Sequence, residues 1–245
     1  MRTNPRSKGW VSIDKKLFSY AATKKPLLTK FDRYRRLKFC REMLTWSDDR
    51  INNIIFSDES NFQVFNRDTK LRVRRLQSEK YLSQNITHKL QGDGCSIGFW
   101  GCIHSSGTGV CKTYTGRINR FGYRDILENC LLPSIEIFSS GCNLIYQQDN
   151  APAHKAGIIT DWLHDNKIKT LLWPPRSPDL NLIENLWSWM DRELTKTKLT
   201  SIQHLISELE RIWLTIPVDL IQKLFNSLKN RCRMVIANKG GHIPY

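Results

Sequence analysis

The chain has 245 residues, enough to bury a substantial core in one large domain or two small ones. Hydrophobic residues make up 40% of it, which excludes a disordered chain, and the net charge of +15 suits a polyanionic partner, nucleic acid above all. The seven cysteines (Cys40, Cys95, Cys102, Cys111, Cys130, Cys142 and Cys232) are odd in number and form no CxxC pair, so free thiols in a reducing compartment are expected rather than a disulfide framework or a zinc knuckle.

Residues 1–28 are polar and basic, carry Pro5 and Pro26, and read as an arm or linker. No apolar stretch follows the basic N-terminus and no run approaches membrane-spanning length, so neither a signal peptide, a transmembrane helix nor a membrane partner is expected. Residues 1–50 hold 14 Lys/Arg against 5 Asp/Glu, and residues 66–90 hold 7 against 2, which makes these two stretches the best candidates for phosphate contact. Thr29 with Asp32 three residues on predicts a capped helix running to about Trp46. Leu37, Cys40 and Leu44 line one side of it. Arg33, Arg35, Arg36, Lys38 and Arg41 crowd the rest, either as a solvated face or as DNA contacts.

Asn53–Ser57 is a short continuous apolar run, the pattern of a strand buried on both faces. Phe62–Phe65 and Lys70–Arg74 read as shorter strands. Cys95–His104 and Val110–Thr115 read as a hairpin around Ser105-Ser106-Gly107-Thr108-Gly109. A helix is expected over Tyr123–Leu132, stopped by Pro133, then a second buried strand over Asn143–Gln148. A helix over Ala153–Asn166 turns Ile158, Ile159, Trp162 and Leu163 inward, and Ile168–Leu172 forms a further strand. Ser177 and Pro178 are expected to start a helix carrying the stripe Leu180, Ile183, Trp187, Met190 and Leu194. Thr200 with Gln203 caps the next helix, and the last one buries Ile221, Leu224, Phe225, Leu228, Cys232 and Val235 before Gly240 and Gly241 end it. Strands first, then strands alternating with helices, then helices alone, predict an α/β domain with a mixed sheet over residues 29–245.

Three acids carry the candidate chemistry. Asp58 ends the run Ile54-Ile55-Phe56-Ser57, Asp149 ends Asn143-Leu144-Ile145-Tyr146-Gln147-Gln148, and Glu184 falls on the helix begun at Ser177, with 34 residues between Asp149 and Glu184. Carboxylates at strand tips beside a helix-borne Glu suit hard cations such as Mg²⁺ or Mn²⁺. Two such ions can activate a water and stabilise the leaving oxygen in phosphoryl transfer. Glu59 adjoins Asp58, but adjacent strand residues face opposite ways, so both are not expected at one metal pair. Asp179 reads as a first-turn acid. His154 is either a structural histidine or a contact to a bound water or DNA, and Asn150 and Asn185 could orient the acids or the scissile phosphate. Trp173, Trp187, Trp189 and Trp213 read as core or interface aromatics.

The words Ser57-Asp58-Glu59-Ser60, Gln148-Asp149-Asn150-Ala151-Pro152-Ala153-His154 and Ser177-Pro178-Asp179-Leu180-Asn181, with the tail Arg231–Gly241, resemble the Tc/mariner superfamily of cut-and-paste transposases from about Lys25 to the last residue. That resemblance implies a ribonuclease H-like, retroviral-integrase-like fold with Asp58, Asp149 and Glu184 as catalytic ligands of two Mg²⁺ or Mn²⁺ ions. It implies cleavage of double-stranded DNA at transposon ends and joining of the freed 3′-hydroxyl to a TA target, by a homodimer working in the nucleus. In relatives a loop at the place of Asn66–Gln91 reaches a partner subunit. Here its Arg72, Arg74 and Arg75 either do that or, with Arg33, Arg35 and Arg36, hold DNA. Residues 1–28 leave no room for the paired helix-turn-helix modules of full-length relatives. The chain is therefore expected to be a catalytic domain without its recognition half: a truncated copy, a partial gene model or a host-retained remnant. A DNA-binding or dimerising remnant without transposition activity is the alternative reading.

Overall fold

The structure is a computed structural model, and it describes residues 25–64, 96–139 and 143–244. Its centre is a mixed sheet. Strands β1 (Ile54–Gln63), β2 (Ser96–His104), β3 (Gly107–Thr108), β4 (Lys112–Tyr114), β5 (Ile145–Gln147) and β6 (Lys169–Thr170) run in the order β3-β2-β1-β5-β6, with β4 also paired to β2. β1 is antiparallel to β2 and parallel to β5, and β5 is parallel to β6.

Alternation along the two long strands divides the core. Ile54, Phe56 and Phe62 of β1, with Ile97, Phe99 and Ile103 of β2, face α1 (Lys30–Thr45), α6 (Glu184–Leu194), α7 (Ile202–Leu214) and α8 (Val218–Ala237). Ile55, Trp100 and Cys102 face α3 (Arg120–Ile126), α4 (Leu132–Phe138) and α5 (Gly157–Asp165). Burial on both faces is what the continuous apolar run of β1 predicts. The short α2 (Asp48–Asn52), capped by Ser47, leads into β1.

Several elements depart from the sequence expectation. β1 does not stop at Ser57. Its parallel partner β5 ends at Gln147, opposite Phe56, but its antiparallel pairing with β2 continues to Gln63, so Phe62 belongs to this one strand. The expected strand Lys70–Arg74 lies outside the described residues. Pro133 does not stop the helix. A π turn over Leu127–Leu131 resets the hydrogen-bond ladder just ahead of Pro133, which has no N–H to give, and the helix continues to Phe138. Ser177 and Pro178 begin only a single 3₁₀ turn, Pro178–Leu180, and α6 starts at Glu184. α5 starts at Gly157, after a turn over the Pro152–His154 stretch. α7 is capped by Ser201, whose hydroxyl accepts from His204 N–H, rather than by Thr200 with Gln203.

The capping box on α1 is as expected: Thr29 N–H donates to Asp32 at 2.9 Å and Asp32 N–H donates to Thr29 Oγ1 at 3.1 Å. The buried stripe of α1 is not the expected one. It runs through Arg36, Phe39, Cys40 and Met43, while Leu37 and Leu44 are only half-buried. Arg36 is therefore no DNA contact. Its side chain is 0% exposed and reaches Asp179, also 0% exposed, at 2.6 Å. It further donates to Ser177 Oγ and to the carbonyls of Gly240 and Gly241. Gly240 takes φ +79°, the left-handed conformation expected after α8, and a Cβ there would meet the Arg33 carbonyl at 2.5 Å. Asp179 thus neutralises a buried arginine and accepts from Ile243 N–H instead of serving the first turn of α6. Cys40, Cys102, Cys111, Cys130 and Cys232 are free thiols. Among the described residues no helix is long and apolar enough to cross a membrane.

Candidate active site

The three acids line one cleft of about 470 Å³, together with Asn150, Trp173, Pro174, Ser177 and Asn181. Asp58 lies inside β1 opposite Gly101 of β2, not at a strand tip. Its face of the sheet is the one α6 packs on, so the even-numbered position that would otherwise hold a core residue points at Glu184 and Trp187. Gly101 leaves room for the Trp213 ring, which a Cβ there would meet at 2.6 Å. Trp213 stacks on Trp187 with ring centroids 5.8 Å apart, and Trp187 Nε1–H donates to Asp58 at 3.3 Å. Glu184, the first residue of α6, is brought to Asp58 by the 3₁₀ turn, which Asn181 ties to β1 by donating to the Ser57 carbonyl at 3.1 Å.

Burial raises the Asp58 carboxyl well above the usual carboxylate range, and the charges of Glu184 and Glu59 push it further. Burial raises Glu184 as well, against partial relief from its hydrogen bond with Asp58 and from Lys25. Two carboxyls in contact cannot both ionise cheaply without a cation between them. This all-oxygen pair therefore fits a hard divalent ion.

Asp149 stands across the cleft, two residues past β5, and is oriented differently. Ala151 N–H donates to it at 2.8 Å, and the His154 ring lies 2.7 Å away without its N–H aimed along the contact. Burial alone would raise Asp149, but His154 and the Ala151 amide hold it below the ordinary value. The structure thus brings Asp58 and Glu184 together and sets Asp149 opposite them. Among the described residues, no three His, Cys, Asp or Glu side chains stand close enough to be a ready-made metal cage.

His154 is 5% exposed and bridges two acids, with Nδ1 toward Asp149 and Nε2 3.4 Å from Glu59. Its ring stacks on Tyr123 at 3.8 Å. Burial opposes a charged ring, but the two acids outweigh it and raise the His154 pKa to about 9. Glu59 faces away from Asp58, as adjacent strand residues must. Asn150 lines the cleft and donates to the Trp173 carbonyl at 3.1 Å. Asn185 does not orient the acids: Arg231 holds its Oδ1 at 2.6 Å, and it lines a different depression with Ser188 and Trp189. Arg33 and Arg35 are exposed on α1, whereas Arg72, Arg74 and Arg75 lie outside the described residues. The sequence reading missed the donor role of Trp187, although it follows Glu184 by three residues and so shares its helix face. It also missed the pairing of Glu59 with His154, which needs residues 95 positions apart.

A family model described as DDE superfamily endonuclease matches residues 53–206, a span that contains all three acids. The chain belongs to the DDE endonucleases. Within them it is a Tc1/mariner-type member. It is 34% identical over 222 residues to the Tcb1 transposase of Caenorhabditis briggsae, covering 91% of this chain and 81% of that protein. Among solved structures, the mariner Mos1 paired end complex with Mg superposes with a TM-score of 0.79 at 18% identity, over 94% of this chain and 68% of that one. The catalytic domain of Mos1 mariner transposase gives 0.71 at 17% identity, over 91% of this chain and 100% of that domain. The mixed sheet of this DDE endonuclease, with helices on both faces, is accordingly the ribonuclease H-like fold the sequence led us to expect. The DDE endonuclease is a DNA-cleaving transposase catalytic domain.

Proposed function

We propose that Asp58, Asp149 and Glu184 hold two Mg²⁺ or Mn²⁺ ions and that the chain cleaves transposon-end DNA and joins it to a TA target. The observation that carries this reading is the contact between Asp58 and Glu184 on one wall of the cleft, with Asp149 on the other. Bound ions would supply Lewis-acid stabilisation and water activation at a phosphodiester. The residues of the chain do the rest. Trp187 and Asn181 fix the β1–α6 wall, and His154 and the Ala151 amide fix the Asp149 carboxylate. Trp173, Pro174 and Pro175 line the same cleft beside the acids. The Mos1 paired end complex with Mg is a relative whose ion and whose pairing of ends support the same choice for this chain.

The working unit in this proposal is a catalytic domain over residues 29–245, a homodimer that holds two DNA ends, acting in the nucleus where its DNA lies. Exposed Arg33 and Arg35 supply phosphate contacts. The test combines nicking of supercoiled plasmid in Mn²⁺ with direct metal binding read by Mn²⁺ spin resonance. Asp58→Asn, Asp149→Ala and Glu184→Gln should each abolish nicking and lower Mn²⁺ occupancy. Mn²⁺ binding unchanged in all three would refute the assignment, whatever the nicking activity.

A further inference from the structure

A second groove of about 390 Å³ opens beside the acid cleft and shares Asn150, Trp173 and Pro174 with it. Its outer wall is the exposed side of α1. Phe31 is 58% exposed and Tyr34 60% exposed, one helical turn apart, and Leu172 opposite them is 85% exposed. Exposed apolar side chains gathered in one groove and rimmed by polar residues mark an interaction surface, as isolated ones do not. The charges around them point to its chemistry: Arg35, Lys38 and Lys155 against the single acid Glu42. The Arg35 guanidinium lies 4.4 Å over the Phe31 ring, which fixes that ring and leaves a cationic plane beside it.

We propose that this groove binds single-stranded DNA running out of the acid cleft, with Phe31 and Tyr34 stacking its bases and Arg35, Lys38 and Lys155 holding its phosphates. The inference deepens the functional reading above and rests on it for the identity of the strand. Duplex DNA conceals its base faces, so exposed rings one turn apart select the unpaired strand. Cations interleaved with stacking rings are the usual means of holding single strands without sequence preference.

Anisotropy with the purified full chain in EDTA tests this, using a fluorescent oligo-dT, a duplex of equal length and an oligomer of abasic deoxyribose phosphates. Phe31→Ala/Tyr34→Ala should weaken oligo-dT binding roughly tenfold or more, as loss of base stacking does. Duplex and abasic affinities should change less than about twofold, because their binding is set by charge. Tyr34→Phe should retain wild-type binding. Unchanged oligo-dT affinity, or equal loss on all three probes, would overturn the proposal. So would a change in self-association, read by analytical ultracentrifugation, with oligo-dT binding intact. Failure of the metal assignment would appear only in the Mn²⁺ experiments, and failure of the groove only here.

Discussion

Replacing Arg36 should destabilise the domain more than removing any exposed arginine, and the structure gives the size of the effect. Arg36 makes five side-chain hydrogen bonds, two of them to Asp179, and neither partner meets solvent. Arg36→Met would strand a buried carboxylate and free the carbonyls of Gly240 and Gly241. Breaking a buried ion pair from one side costs about 3–5 kcal/mol. That is a large fraction of the 5–15 kcal/mol typical of a whole domain. Arg36→Lys should recover only part of this, because a point charge cannot satisfy a carboxylate and two carbonyls as a planar fork does. Arg36→Met/Asp179→Asn removes both charges, leaves an oxygen for Ile243 N–H, and should cost less than the sum of the single changes by about 1–3 kcal/mol. Equilibrium urea denaturation of five proteins (wild type, Arg36→Met, Arg36→Lys, Asp179→Asn and the double variant) at low temperature measures all of this. The salt dependence of duplex binding adds an independent check. The slope of log affinity against log salt should be unchanged in folded Arg36→Met, whereas Arg33→Gln or Arg35→Gln should lower it by about one. A stable Arg36→Met protein with a reduced slope would refute the buried-clamp reasoning.

Gly101→Ala should lose about 1–3 kcal/mol in the same denaturation assay, because its methyl group must displace Trp213 and with it Trp187 from Asp58. His154 makes stability depend on pH in a definite direction. Its pKa is raised from 6.5 to about 9 in the fold, so its contribution is complete below pH 6.5 and is lost as pH rises through about 9. In EDTA the wild type should lose stability over that window with a slope approaching about 1.4 kcal/mol per pH unit, and His154→Asn should not. An identical slope in both proteins would remove His154 from its place between Asp149 and Glu59. Saturating Mn²⁺, at a hundredfold excess over its dissociation constant, should stabilise the wild type by about 2.7 kcal/mol and leave Glu184→Gln nearly unaffected in a thermal melt.

Much of the site was legible in the chain. Asp58, Asp149 and Glu184 could be named as candidates because each stands in a local word whose meaning is local: an apolar run, a turn, the start of a helix. All three line one cleft, Asp58 with Glu184 on one wall and Asp149 across from them. The strand buried on both faces, the capping box at Thr29 and the left-handed Gly240 were equally readable, since each depends on residues within a few positions of one another. Two of the errors share an origin in a distant partner. Arg36 looked like one more charge on a basic helix, and only Asp179, 143 residues away, makes it a core residue. Asn185 looked like a neighbour of Glu184, but Arg231 turns it away. Pro133 looked like a stop until the π turn before it removed the need for its N–H.

The sequence by itself determined most of the elements, the candidate acids and the opposite facing of Asp58 and Glu59, because backbone periodicity fixes which residues share a side. Only the tertiary structure decided which charges are buried, which acid meets which, and that His154 sits between Asp149 and Glu59. Those outcomes depend on pairings between distant segments, and a charge is stable in a core only where the fold delivers its partner.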